Sequence, residues 1–179
     1  PVVGGAGDQP AGAVGNGIVR PGIVSSTMGT SGVVFAHSDK PVANPDGNLQ
    51  SFCHAVPGKW CVFGCMLAAG GSFQWLRNTL FADEVAALKK AKKDPGEIYE
   101  KLIKLAQKAE PGSDGLFFMP YLTGERCPHP DPDARGAWIG LTVRHDRSAM
   151  IRAVLEGITY GMRDQIEIMR DSGLKIDEV

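Results

Sequence analysis

Apolar positions follow two different periods along this chain, and the change from one to the other divides it near residue 70. Before that point apolar residues come in short runs broken by glycine and polar residues, the pattern of strands joined by tight turns. Val2 and Val3 open a short buried strand that ends at Gly4-Gly5. Small residues run from Ala11 to Gly17, and their periodicity suits a short helix and an extended piece equally. Residues 23–28 and 32–36 read as two strands joined by Gly29-Thr30-Ser31 in a hairpin-like connection. Residues 37–50, rich in Asp, Asn, Pro and Gly, predict a loop. Residues 51–56 and 60–66 predict two more strands around a Pro57-Gly58 turn.

Beyond residue 70 the spacing becomes helical. A helix is expected over 72–81, capped by Ser72, with Phe73, Leu76 and Leu80 on one face. A second covers 83–93. Asp94-Pro95-Gly96-Glu97 reads as a capping box with Asp94 as cap, opening a third helix that shows Ile98, Leu102, Leu105 and Ala109 on one side until Pro111-Gly112. Residues 116–119 and 137–141 predict short strands. The loop between them carries Pro120, Pro128, Pro130 and Pro132. Asp146 caps a long helix whose Met150, Ile151, Val154, Leu155, Ile158, Met162, Ile166 and Met169 form a core stripe, and Gly173 closes it. Gly157 and Gly161 leave a smooth strip on that helix where another element can approach. The tail 174–179 stops without a terminator pattern and Pro1 is not an initiator Met, so both ends are expected to be cut.

Composition narrows the class. The 179 residues suit one domain, and 43% hydrophobic with 22% charged residues is a globular balance. Glycine is in excess, 23 residues against a usual share of roughly 7%, and it concentrates at 4–32 and 64–71, where a ligand is to be sought. A net charge of −1 gives no footprint for nucleic acid or an anionic membrane. Lys89, Lys90, Lys92 and Lys93 read as a solvated helix face. No apolar run reaches the roughly 20 residues of a membrane span and no leader pattern opens the chain, so a soluble, cytoplasmic protein is expected. Cys53, Cys61, Cys65 and Cys127 lack metal-type spacing and read as reduced, partly buried thiols. Cys53 and His54 adjoin on a strand and point to opposite faces, so they do not share a metal.

The chemistry the residues offer is that of phosphoryl transfer. In GGAGDQPAG a lone carboxylate, Asp8, stands beside the amide of Gln9, and GTSG presents a second glycine turn. Such transfer needs little covalent work from the protein. It needs a base for the attacking hydroxyl and backbone N–H groups close to the moving phosphate, which glycine permits. The glycine-rich start of the 72–81 helix would suit a nucleotide phosphate or ribose. Glu125 and Arg126 could reach a substrate, but anchoring of the long loop by hydrogen bonds is the favoured reading. A serine hydrolase is excluded, since Ser31 lies in GTSG rather than GxSxG and no motif places a histidine beside it. The residues alone therefore describe a mixed α/β domain with two phosphate-compatible turns.

The segments GGAGDQPAGAVGNG, STMGTSGVVF, SFCHAV, AAGGSFQWLR, FFMPYLTGERCPHP and GAWIGLTVRHDRSAMIRAVLEG, in that order, resemble the FGGY family of carbohydrate kinases, its xylulose kinases most closely. The resemblance implies the C-terminal half of a two-lobed kinase of the ribonuclease-H-like, actin-like ATPase fold, a mixed β-sheet flanked by helices. It implies transfer from ATP, with Mg²⁺ on the nucleotide, to the terminal hydroxyl of D-xylulose in a cleft between lobes. Asp8 matches the family's catalytic base, and Gln9 the position beside it that binds the sugar. Gly29, Thr30 and Ser31 match the phosphate turn, and Gly70 and Gln74 the element along the nucleotide. A homodimer of the full-length enzyme would be in keeping with it.

Ala149 departs from the family signature, which usually has a polar residue there. The N-terminal lobe, and the adenine-binding motif expected just after Val179, are not in this chain. Alone it is expected to be inactive, because half a cleft forfeits most of the roughly 7 to 11 kcal/mol that orientation supplies. Two other readings stay open: a kinase for ribulose, fuculose, gluconate or glycerol, and a non-catalytic actin-like module that binds nucleotide or a protein. Asp8 beside Gln9 in a glycine turn argues against the module, which has no use for a base.

Overall fold

The strand Gly32–Ser38 (β2) buries all seven of its residues, because it runs through the middle of a sheet covered on both faces. The computed structural model describes residues 4–179, and the strand expected at Val2 and Val3 lies outside them. Gly22–Met28 (β1) and Trp60–Met66 (β4) flank β2 antiparallel, and Gln50–Cys53 (β3) pairs antiparallel with the outer side of β4. On the other edge Ile176–Glu178 (β7), in a tail for which no element was predicted, joins β1 in parallel. The order is β3-β4-β2-β1-β7, a mixed sheet.

Alternation along the strands sorts the two faces. Val24, Val34, Ala36, Val62 and Met66 belong to the main core with Ile151, Val154, Ile158, Met162 and Met169 of the long helix Arg147–Asp171 (α5). The opposite face places Phe35 and Cys61 under Ala13 and Ile18, with Ile23 and Phe63 beside them. Ala13 belongs to Asp8–Gly15 (α1), so the stretch whose period was undecided is a helix, and it begins at Asp8. Gly70–Leu80 (α2), Ala82–Lys90 (α3) and Glu97–Ala106 (α4) complete the helical layer. Phe117–Met119 (β5) and Ala137–Ile139 (β6) make a separate two-stranded ribbon against α5. Among the described residues no helix is long and apolar enough to cross a membrane.

Several local expectations hold. Asp146 caps α5, its Oδ1 accepting from the N–H groups of Ser148 at 2.8 Å and Ala149 at 3.1 Å. Gly157 lies directly under the Phe118 carbonyl and Gly161 against Met66, the close approaches that the glycine strip predicted. All four cysteines are free thiols.

Others are corrected. Ser72 is not a cap: it lies within α2, fully buried, and its hydroxyl donates to the Ala68 carbonyl at 2.5 Å. Asp94 forms no capping box, because its Oδ1 accepts from Gly96 N at 2.8 Å in a local turn and α4 starts beyond it. Leu80 ends up exposed. The strand expected over 51–56 stops at Cys53, where His54 N turns to the Lys59 carbonyl at 2.9 Å.

Glu156 joins α5 to the end of the α4 layer. Its carboxylate accepts from Gly112 N at 2.9 Å, Ser113 Oγ at 2.9 Å and Arg152 Nε at 2.8 Å. Burial alone would raise this carboxyl, but those donors together outweigh it and hold it below its usual value of 4.5. A carboxyl depressed in the folded state adds stability above its unfolded value and loses it as pH falls through the folded one. Glu156→Gln is therefore expected to cost about 2 kcal/mol near neutral pH and to flatten the decline in stability below pH 4.5. Urea unfolding across pH 3 to 7 checks both.

Candidate functional site

Asp8 is the first residue of α1 and is exposed. Its Oδ1 accepts the N–H of Gln9 at 2.8 Å, which leaves the second oxygen free for a ligand. Gly7 ahead of it has extended backbone, φ −57° and ψ 157°, so the helix starts at the carboxylate, beside its own positive dipole end. Asp8, Gln9, Gly7 and Pro10 form one wall of a pocket of ≈ 430 Å³, and Phe52, Cys53, Cys61 and Phe63 of β3 and β4 form the other. Phe52 and Phe63 stack at 5.4 Å and 16°. These aromatic walls are functional candidates that the sequence did not mark. They meet because Phe52 pairs with Cys61, which sets it diagonal to Phe63 on one face of the sheet.

The turn Gly29-Thr30-Ser31 closes the β1–β2 hairpin at the end of the sheet where Gly32 pairs with Met66. Phe63 lies three residues back along β4, so turn and Asp8 pocket are separated by about 10 Å of strand. Gly29 N donates to the Ser31 carbonyl at 2.8 Å, and among the described residues neither Thr30 nor Ser31 donates its N–H to another backbone carbonyl. An arrangement of this kind can accept an anion.

At the start of α2 the N–H groups of Gly70 and Gly71, expected to be free, are bonded within the fold. Gly70 N donates to the Gly29 carbonyl and Gly71 N to the Thr30 carbonyl, each at 2.9 Å. Their N–H groups are therefore spent on holding the 29–31 turn. Gly70 must be glycine, since a Cβ there would run into the Gly29 carbonyl oxygen. Gln74 stands exposed one helical turn on. The structure thus joins Gly29, Thr30, Ser31 and Gly70 in one unit and sets Asp8 and Gln9 apart from it on the same sheet.

Around this unit the polar groups are buried and fixed. Gln165, 0% exposed, places Nε2 3.4 Å from the Gly32 carbonyl. Glu125 accepts from Leu67 N at 2.9 Å, bearing out the loop-anchor reading. Burial holds the Cys65 thiol above its usual range and pushes Cys127 up to about 12. Thiols so disposed are not nucleophiles. No group of three or more His, Cys, Asp or Glu side chains placed to hold a metal ion stands among the described residues.

Comparison with known proteins identifies the family of the chain. The model of the FGGY family of carbohydrate kinases, C-terminal domain, matches residues 24–179. A xylulose kinase from Staphylococcus epidermidis is 38% identical over 178 residues, which is 99% of this chain and 33% of that protein. A gluconokinase from Bacillus subtilis is 39% identical over 163 residues, 90% of this chain and 31% of that protein. The crystal structure of xylulose kinase from Rhodospirillum rubrum matches with a TM-score of 0.78 at 35% identity, covering 97% of this chain and 32% of that one. The chain spans about a third of the length of the curated relatives it matches.

Proposed function

Because the chain belongs to the FGGY family of carbohydrate kinases, with the actin-like ATPase fold of its structural neighbours, we propose that it works as the C-terminal lobe of an ATP-dependent kinase for D-xylulose. The observation that carries this reading is the free carboxylate of Asp8, set at a helix start over an aromatic-walled pocket on the same sheet as a turn with unused N–H groups.

In this mechanism Asp8 and Gln9 bind the sugar, with its terminal hydroxyl hydrogen-bonded to the Asp8 carboxylate. Asp8 takes the hydroxyl proton as the oxygen attacks the γ-phosphorus of ATP. The new O–P bond forms as the bond from phosphorus to the β–γ bridging oxygen breaks, and ADP leaves with that oxygen. Thr30 and Ser31 N–H groups face the phosphoryl oxygens, where charge builds. Gly70 holds the turn, and Gln74 lies toward the nucleotide. Mg²⁺ accompanying ATP would offset the phosphate charge. Among the described residues Asp8 is the only carboxylate lining the pocket, so protein ligands for the metal would come from the opposite lobe or be replaced by water. That lobe also supplies the second cleft wall, without which this chain is inactive.

Sugar-dependent ADP release by the full-length kinase tests the reading, over D-xylulose, ribulose, gluconate and glycerol. D-xylulose is expected to give the highest kcat/KM. Gluconate is the named rival because of the gluconokinase match, and a higher kcat/KM for it would transfer the assignment. If no sugar stimulates turnover, the non-catalytic module replaces the kinase.

A further inference from the structure

Between β5 and β6 the chain makes a long excursion, residues 120–136, and within it Glu125 is buried to 4% exposure. Within the segment Glu125 N donates to the Asp131 carbonyl at 2.8 Å, and Asp131 N donates back at 3.0 Å. The side chain in addition ties the segment to the residues that follow β4. Its Oε1 accepts from Leu67 N at 2.9 Å, across 58 positions of sequence, and from Arg126 N at 2.7 Å, while Oε2 is enclosed with no partner among the described residues. Burial raises the pKa of this carboxyl against the backbone donors of Arg126 and Leu67. A buried carboxylate with one idle oxygen is costly, which makes its target informative.

Leu67 is the first residue after β4 and lies three residues before Gly70. Gly70 and Gly71 in turn hold the carbonyls of Gly29 and Thr30. One short path therefore runs from the Glu125 carboxylate through residues 67–71 to the phosphate turn.

We propose that Glu125 is a positioning residue for phosphoryl transfer: by holding the Leu67 N–H it sets where β4 passes into α2, and thereby where the 29–31 turn points its N–H groups. The inference rests on the kinase reading above. The Asp8 pocket is lined from α1, β3 and β4 and lies outside this path. Loss of Glu125 should accordingly act on the transfer step and leave sugar binding alone.

Three variants of the full-length kinase decide the point, each normalised to folded enzyme. Glu125→Gln keeps an oxygen acceptor of the same reach and is expected to stay within about threefold of wild-type kcat. Glu125→Asp keeps the charge but withdraws the oxygen by one methylene, and Glu125→Ala removes it. Both are expected to lose about tenfold or more in kcat with the sugar KM unchanged, and to speed amide exchange at residues 67–71 by a similar factor. Wild-type kcat in the folded Asp variant would overturn the proposal, as would a folded Gln variant as impaired as Asp. Should Glu125→Ala not fold, the Gln and Asp pair still gives the answer. Amide exchange also separates the two readings. If the wild-type enzyme shows no sugar-dependent turnover, the kinase reading fails. Unchanged exchange at 67–71 in Glu125→Asp would show independently that Glu125 does not hold the turn.

Discussion

Replacing Asp8 by Asn is expected to lower sugar-dependent ATP turnover of the full-length kinase at least about 100-fold, the low end for loss of a general base. The fold should scarcely notice. Asp8 is exposed, and its one intrachain hydrogen bond is accepted by Oδ1, an atom that Asn retains. The other loss is a favourable charge at a helix start, a small effect on an exposed residue. Tm should therefore stay within about 3 °C of wild type, and the sugar KM should change far less than kcat. Steady-state kinetics and a thermal melt on one preparation check all three. Wild-type kcat in this variant would reduce Asp8 to a helix-start residue and remove the proposed base.

Gly70→Ala should fail differently, losing stability and activity together. Alanine is the better helix former by about 1 kcal/mol, so an open site would be stabilised. Here the added methyl meets the Gly29 carbonyl oxygen, which is backbone and has no rotamer to escape into. The expected result is a net loss of about 2 kcal/mol and at least a tenfold fall in kcat as the turn is displaced. Urea unfolding together with kcat measures both. Gly12→Ala is the control: nothing lies near a Cβ built there, and the site is inside α1, so it should be neutral or stabilising.

Elements defined by local periodicity are legible in the sequence alone. β4 and the hairpin of β1 and β2 fall where alternation and the Gly29-Thr30-Ser31 turn put them, and α5 runs from its Asp146 cap to Gly173. Elements that depend on a distant partner are not. β7 is three residues long, too short for its period to mark it, and it is a strand beside β1. α1 is too rich in small residues for a period to show, and it becomes a helix over Phe35 and Cys61. Ser72 has the residue type of a cap, but its hydroxyl turns back to the Ala68 carbonyl inside a helix that starts two residues earlier.

The same division runs through the candidate site. By itself the sequence determined which residue types stand in which turns: Asp8 and Gln9 among glycines, Gly29-Thr30-Ser31 at a hairpin tip, Gly70-Gly71 opening a helix. Composition and order along the chain are enough for that, because turn chemistry is local. Only the tertiary structure decided what those residues touch. It gave the N–H groups of Gly70 and Gly71 to the turn instead of to a ligand, walled the Asp8 pocket with Phe52 and Phe63, and brought Glu125 to Leu67. Hydrogen bonds and walls of that kind join segments tens of residues apart, and the register that aligns them is set by packing of the whole sheet against its helices.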